Sequence, residues 1–184
     1  MKIRTERSED CGEIFDVVGS AYGEGGHASH KQQLLVEGLR DSESFVRELS
    51  LVAEMDGEIV GYIVLARIRI ITKELQKGAL ALATIAVVKR YRGKGIGAKL
   101  IQKAHRRAKA LGFDAVIAVG GGEYFQKFGY QGIKKYGIEV PFDGPDERGM
   151  VKELTENALE GIKGTVEYPR EFYRKGTATG KVKQ

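Results

Sequence analysis

The sequence predicts an α/β fold of the α+β kind, a single domain on a mixed sheet flanked by helices. Residues 49–70, LSLVAEMDGEIVGYIVLARIRI, set Asp56-Gly57 between two β-rich runs, the pattern of a tight antiparallel hairpin. Residues 79–121 then read strand, amphipathic helix, strand, which joins two parallel strands by a right-handed crossover. Both pairings in so short a chain require a mixed sheet.

In chain order, residues 2–5 alternate and form a short first strand. Asp10, with Glu13 three positions on, is the expected N-cap of a helix whose apolar face is Ile14, Val17, Val18 and Ala21. GEGGHASH, residues 23–30, reads as a flexible break, and Leu34, Leu35, Gly38 and Leu39 mark a second short helix. The second arm of the hairpin, residues 59–70, is long; ALALATIAVV, residues 79–88, is apolar on both faces and therefore central. The next helix gathers Gly97, Leu100, Ile101, Ala104, Ala108 and Leu111 on one face and turns Lys99, Lys103, Arg106 and Lys109 away, ending at Gly112. FDAVIAVGG is a buried strand and GEYFQKFG a short helix, while residues 133–140, 150–154 and 164–168 carry weaker strand patterns.

At 184 residues and 42% hydrophobic content the chain suits one core, expected over residues 1–173, with 174–184 a mobile basic tail. Its single cysteine, Cys11, excludes an internal disulfide and suits a reducing compartment. MKIRTERSED has no apolar signal region, and no apolar run reaches the roughly 18 residues of a membrane span, so a cytoplasmic protein without a membrane partner is expected. A net charge of +5 leaves nucleic acid, an anionic surface or a phosphorylated ligand as candidates.

The stretch KRYRGKGIGAKL, residues 89–100, narrows that choice. A helix beginning near Gly95 presents unpaired N–H groups and about half a positive charge. Gly93, Gly95 and Gly97 remove the Cβ atoms that would hold an anion off those groups, while Arg92 and Lys94 add charge, so the junction reads as a pyrophosphate seat. The plainer reading is a loop of glycines and solvated lysines. A P-loop needs Ser or Thr after Gly-Lys, which Gly93-Lys94-Gly95 lacks. Gly93, Gly95 and Ala98 meet the spacing of the dinucleotide fingerprint, but residues 89–92 separate strand from glycine, and the next strand ends in Gly120, Gly121 and Gly122 instead of an acid.

The longer stretch IAVVKRYRGKGIGAKLIQKA closely resembles the acetyl-coenzyme A signature of the GNAT superfamily of N-acetyltransferases, whose core reads Gln or Arg, x, x, Gly, x, Gly or Ala; Arg92, Gly95 and Gly97 take its defined positions. LALATIAVV resembles the family's fourth strand, AVIAVGGGEYFQKFGY its fifth strand and following helix, and GTVEYPREF the ending of a mostly uncharacterised bacterial subgroup. The resemblance implies the GNAT fold: a mostly antiparallel twisted sheet whose parallel fourth and fifth strands splay apart around acetyl-CoA as co-substrate, with no metal. It implies backbone N–H bonds to the pyrophosphate from Arg92, Gly93, Lys94, Gly95, Ile96 and Gly97, and a pantetheine arm pairing with Ile85 and Val87, with Ala86 and Ala98 also among the coenzyme-binding residues.

By the same resemblance a neutral amine attacks the thioester directly, the N–H near Val87 serves the oxyanion, and a tyrosine four residues before the glycine of an FG pair protonates the thiolate. That glycine is Gly129, so the position against the coenzyme falls to Phe125, which donates no proton. Tyr124 is adjacent, but one helical step turns a side chain by about 100°, so it serves only if the helix begins irregularly; water is the alternative donor. Residues 80–88 contain no acid, and Thr84 is their only polar side chain. Glu24, His27 and His30 fall in the segment that lines the superfamily's acceptor pocket, although exposed histidines on a mobile loop are the plainer reading. Two histidines three apart are too few for zinc. The implied partner is a small-molecule or peptide amine. Two rivals stand beside the enzyme: a coenzyme-binding sensor without turnover, and a basic nucleic-acid-binding domain, which lacks the aromatic ladder that base stacking uses. The long strand at 59–70 and the C-terminal strands suggest a homodimer.

Overall fold

The computed structural model of the protein describes residues 1–23, 27–142 and 149–173, with the backbone alone for residues 27–29. Among them one mixed sheet runs in the order β1 (Lys2–Thr5), β2 (Phe45–Met55), β3 (Glu58–Ile71), β4 (Gln76–Val87), β5 (Ala115–Val119), then, out of chain order, β8 (Gly149–Glu153) and β6 (Gln131–Gly132). Off that path β9 (Gly164–Glu167) pairs with β3, and β7 (Ile138–Glu139) pairs with β9. The β2–β3 hairpin turns at Asp56 and Gly57, whose φ values of 52° and 83° are those of a type I′ turn.

Helices cover both faces. On one, α1 (Cys11–Ala21) and α2 (His27–Arg40) press Ile14, Val17, Val18 and Val36 onto Val52, Tyr62, Val64 and Ala86. On the other, α3 (Ile96–Ala110) buries Leu100, Ile101, Ala104 and Ala108 against Leu49, Leu51, Ile63 and Leu65. Each of these large apolar side chains stabilises the fold by about 1.5–3 kcal/mol relative to exposure. At Gly61 of β3 the helix comes close, since a Cβ there would lie 3.1 Å from both Ile96 and Leu100. β4 is central, antiparallel to β3 along Gln76–Val87, whereas its parallel pairing with β5 is confined to Leu80↔Val116 and Ala81↔Ile117. Beyond Ala81 the two strands part, as the resemblance implied.

Several expectations need correction. Asp10 does not cap α1 through its side chain; its carboxylate accepts the Arg7 N–H at 2.6 Å and a two-pronged bond from Arg4, and Arg4 holds its pKa below the usual range. Glu13 reaches across to the Ile59 N–H at 2.6 Å. Long-range partners outcompeted the local capping pair. α2 starts at His27, so the second half of the supposed break is helix. Residues 133–136 form a 3-10 turn stopped by Gly137 at φ 71°, leaving only a two-residue strand beyond it. Leu111 lies past the last turn of α3 and is exposed. β2 and β9 on one side and β4 on the other pair with β3. Among the described residues no helix is long and apolar enough to cross a membrane. The basic stretch 174–184 lies outside the described residues.

Candidate active site

Where β5 leaves β4, a strand edge is exposed. In the antiparallel ladder with β3, Thr84 and Ala86 alternate with Ile85 and Val87, and the latter pair turn N–H and C=O away from β3, into the gap. Their carbonyls have partners inside the protein. The Tyr22 hydroxyl donates to the Ile85 carbonyl at 3.1 Å, and Arg92 Nε donates to the Val87 carbonyl at 3.1 Å. Arg92 Nη2 also reaches the Ala21 carbonyl at 2.7 Å, tying the end of α1 to the end of β4. The Arg92 charge is therefore near the expected seat, but much of its donor capacity is engaged by backbone.

The chain leaves β4 through a 3-10 turn at Lys89–Tyr91 and enters α3 from Gly95, whose φ of 77° is a left-handed conformation that glycine adopts without strain. Lys99 is the first α3 residue whose N–H finds a helical partner, the carbonyl of the N-cap Gly95 at 3.1 Å. The N–H groups of Ile96, Gly97 and Ala98 are thus the uncompensated positive end of the helix. A Cβ added at Gly93 or Gly95 would meet nothing within 4 Å, so the space over the turn is open to a ligand. Lys94 and Arg90 each sit 5.1 Å from the centroid of the Tyr91 ring. Strand edge and helix end share one cleft of about 480 Å³.

The far wall is Tyr124. The helix α4 (Gly122–Gln126) starts from Gly121 at φ 60°, and the Gly121 carbonyl accepts from both Tyr124 (3.0 Å) and Phe125 (3.1 Å). The helix thus begins with a mixed 3-10 and α turn. Tyr124 consequently faces the cleft, its hydroxyl so near Gly97 that a Cβ there would stand 2.6 Å from it. Partial burial raises the Tyr124 pKa, keeping the hydroxyl protonated. Phe125 turns into the core beside Tyr130, with ring centroids 5.2 Å apart.

Ile85, Ala86, Val87, Arg92, Gly93, Gly95, Ile96, Gly97, Ala98 and Tyr124 all line this cleft, with Lys94 beside it and Phe125 outside it. His30 lies in the first turn of α2, exposed and off the cleft's described lining; Glu24 and the His27 side chain lie outside the described residues. Thr84 is buried and bonds Gln32 of α2 at 2.5 Å. Sequence reasoning missed Ala21, Tyr22 and Tyr91. Tyr91 stood inside the quoted junction, but Tyr22 meets a partner 63 positions away, a pairing without local signature.

Residues 11–130 match the acetyltransferase (GNAT) family. YhbS of Escherichia coli (strain K12), named an uncharacterized N-acetyltransferase, is 29% identical over 147 residues, 79% of this chain and 86% of that one. YjhQ of the same strain, named likewise, is 30% identical over 163 residues, 82% of each chain. The crystal structure of Escherichia coli YhbS in complex with CoA matches with a TM-score of 0.83 at 26% identity, covering 94% of this chain and 92% of that one. A GNAT family acetyltransferase from Brucella melitensis in complex with acetyl-CoA matches with a TM-score of 0.75 at 26% identity, covering 93% and 97%. With the family match spanning more than half of its length, the chain belongs to the GNAT family of acetyltransferases.

Proposed function

We propose that the protein is an N-acetyltransferase that takes acetyl-CoA into this cleft and passes the acetyl group directly to a primary amine of a small molecule or peptide. One observation carries the reading: the open edge at Ile85 and Val87 runs into the free N–H groups of Ile96, Gly97 and Ala98. A ligand matching both is an extended amide chain ending in a diphosphate, which describes coenzyme A. The CoA and acetyl-CoA complexes of the similar YhbS and Brucella proteins support it.

In this reading the α3 N–H groups and Lys94 hold the diphosphate, and the edge aligns the arm so that the thioester carbonyl rests near the Val87 N–H. The amine nitrogen bonds to the carbonyl carbon as the carbon–sulfur bond breaks. Tyr124 supplies a proton to the departing thiolate, and the ammonium proton leaves to water or to a side chain on the acceptor side, which we assign to Glu24, His27 and His30. The raised Tyr124 pKa suits a donor that is protonated at neutral pH. We place the enzyme in the cytoplasm, in keeping with its lone free cysteine.

Thermal unfolding with acetyl-CoA tests the seat: ligand at about 100 times its dissociation constant adds about 2.7 kcal/mol. Gly95→Val, which forces a β-branched residue to φ 77°, abolishes that gain; a gain that survives it, or none in the unmodified protein, rejects the assignment. Thiol release across an amine panel then reads turnover. Tyr124→Phe lowers kcat about 10- to 100-fold with KM for acetyl-CoA little changed. Binding with no turnover on any amine would make the protein a coenzyme sensor.

A further inference from the structure

The open edge of β4 is an unpaired row of backbone donors and acceptors, which a protein ordinarily covers. Here each outward carbonyl is covered separately, Ile85 by the sequence-distant Tyr22 and Val87 by Arg92 from the turn that follows β4. Arg92 is the fixed member of the pair, since its second contact with the Ala21 carbonyl anchors it to α1. Tyr22 is held by its single hydrogen bond to the Ile85 carbonyl. It follows the last residue of α1 and is 36% exposed as a residue, while burial of its phenol raises its pKa and its hydroxyl donates to the Ile85 carbonyl.

A pantetheine arm pairing with this edge brings an amide N–H to the same carbonyl. Resting on the reading of the cleft as a coenzyme site, we infer that the Tyr22 hydroxyl is a placeholder on the Ile85 carbonyl that the coenzyme's arm must displace, and so tunes affinity for the arm but not for the diphosphate end. The α3 N–H groups that meet the diphosphate make no contact with Tyr22 and are unaffected by its departure. Tyr22 is in this sense a positioning residue for the edge: it keeps the carbonyl satisfied in the free protein and yields it on binding. A net neutral hydrogen bond contributes about 0.5–1.5 kcal/mol, which converts to roughly two- to tenfold in affinity.

The test compares two ligands on two variants by calorimetric titration. CoA fills edge and seat together, whereas 3′-phosphoadenosine 5′-diphosphate, the coenzyme without its pantetheine arm, fills the seat alone. Tyr22→Phe keeps the ring and loses the donor, and should bind CoA about two- to tenfold more tightly with affinity for the armless nucleotide unchanged. Tyr22→Leu should move the ratio of the two affinities in the same direction, and that ratio cancels any loss of folded fraction. Unchanged or weaker CoA binding by Tyr22→Phe, or an equal change for both ligands, overturns the placeholder role. Failure of the unmodified protein to bind either ligand overturns the seat and the placeholder together; binding both equally removes the arm from the edge while leaving the seat standing.

Discussion

Tyr124 and Gly97 face each other so closely that glycine is needed for its small size and not for its backbone. Gly97 is the second residue of α3, where alanine ordinarily favours a helix by about 0.5–1 kcal/mol. Gly97→Ala should therefore leave the melting temperature level or higher, while its Cβ pushes the Tyr124 hydroxyl aside and thiol release slows by about tenfold or more; unchanged turnover would show that Tyr124 takes no part. Away from the cleft, the partly buried His105 shares a 2.9 Å hydrogen bond with the buried Tyr130 hydroxyl, and burial, with Lys152 adding to it, pushes its pKa from 6.5 down to about 4. Because the folded value is the lower one, the unfolded chain takes up the proton first, so this stability is complete above pH 6.5 and is lost as pH falls toward 4. Urea midpoints should report a loss on the order of 2 kcal/mol between pH 7 and pH 5, and His105→Phe should flatten that segment of the profile.

Among elements, the decisive relation is the seating of α3 on β3, because the first turn of α3 carries the N–H groups of the site. Gly61 sets that distance, a Cβ there lying 3.1 Å from Ile96 and Leu100 and 3.3 Å from the Ala86 carbonyl of β4. Gly61→Val should cost about 1–3 kcal/mol by overpacking and lift the first turn of α3 from the sheet. Chemical denaturation reads the first effect and a weakened CoA titration the second; normal CoA affinity in a destabilised variant would separate the seat from this contact. The parting of β4 from β5 belongs to the same scale. It frees Ile85 and Val87, and the register shift between Val64 and Leu65 places Thr84 on the α2 side, where Gln32 receives it.

At the scale of the molecule, a net charge of +5, with Lys89, Arg90, Lys94 and Lys99 in the chain segment that supplies Tyr91 to Ala98 to the cleft, favours approach of a polyanion. The association rate of CoA, followed by stopped flow, should fall steeply as salt rises from about 0.1 M to about 1 M, where the screening length shrinks from about 10 Å to about 3 Å. The dissociation rate should change much less, since bonds inside the cleft are shielded from ions; a salt effect confined to dissociation would argue against steering.

The order of the main elements, the tight hairpin at Asp56-Gly57 and the glycine-led start of α3 were legible because each is written in neighbouring residues: turn chemistry, side-chain periodicity and glycine spacing act over a few positions. The orientation of the tyrosine was not, because it is Tyr124 that faces the cleft while Phe125 packs beside Tyr130, an outcome of the irregular start of α4 and of tertiary packing. Nor was the part played by Tyr22, or the diversion of Asp10 and Glu13 from capping. Local pattern determined which segments form and where a helix starts with open N–H groups; only the folded chain, by bringing groups tens of residues apart within hydrogen-bond reach, decided which side chains face the cleft.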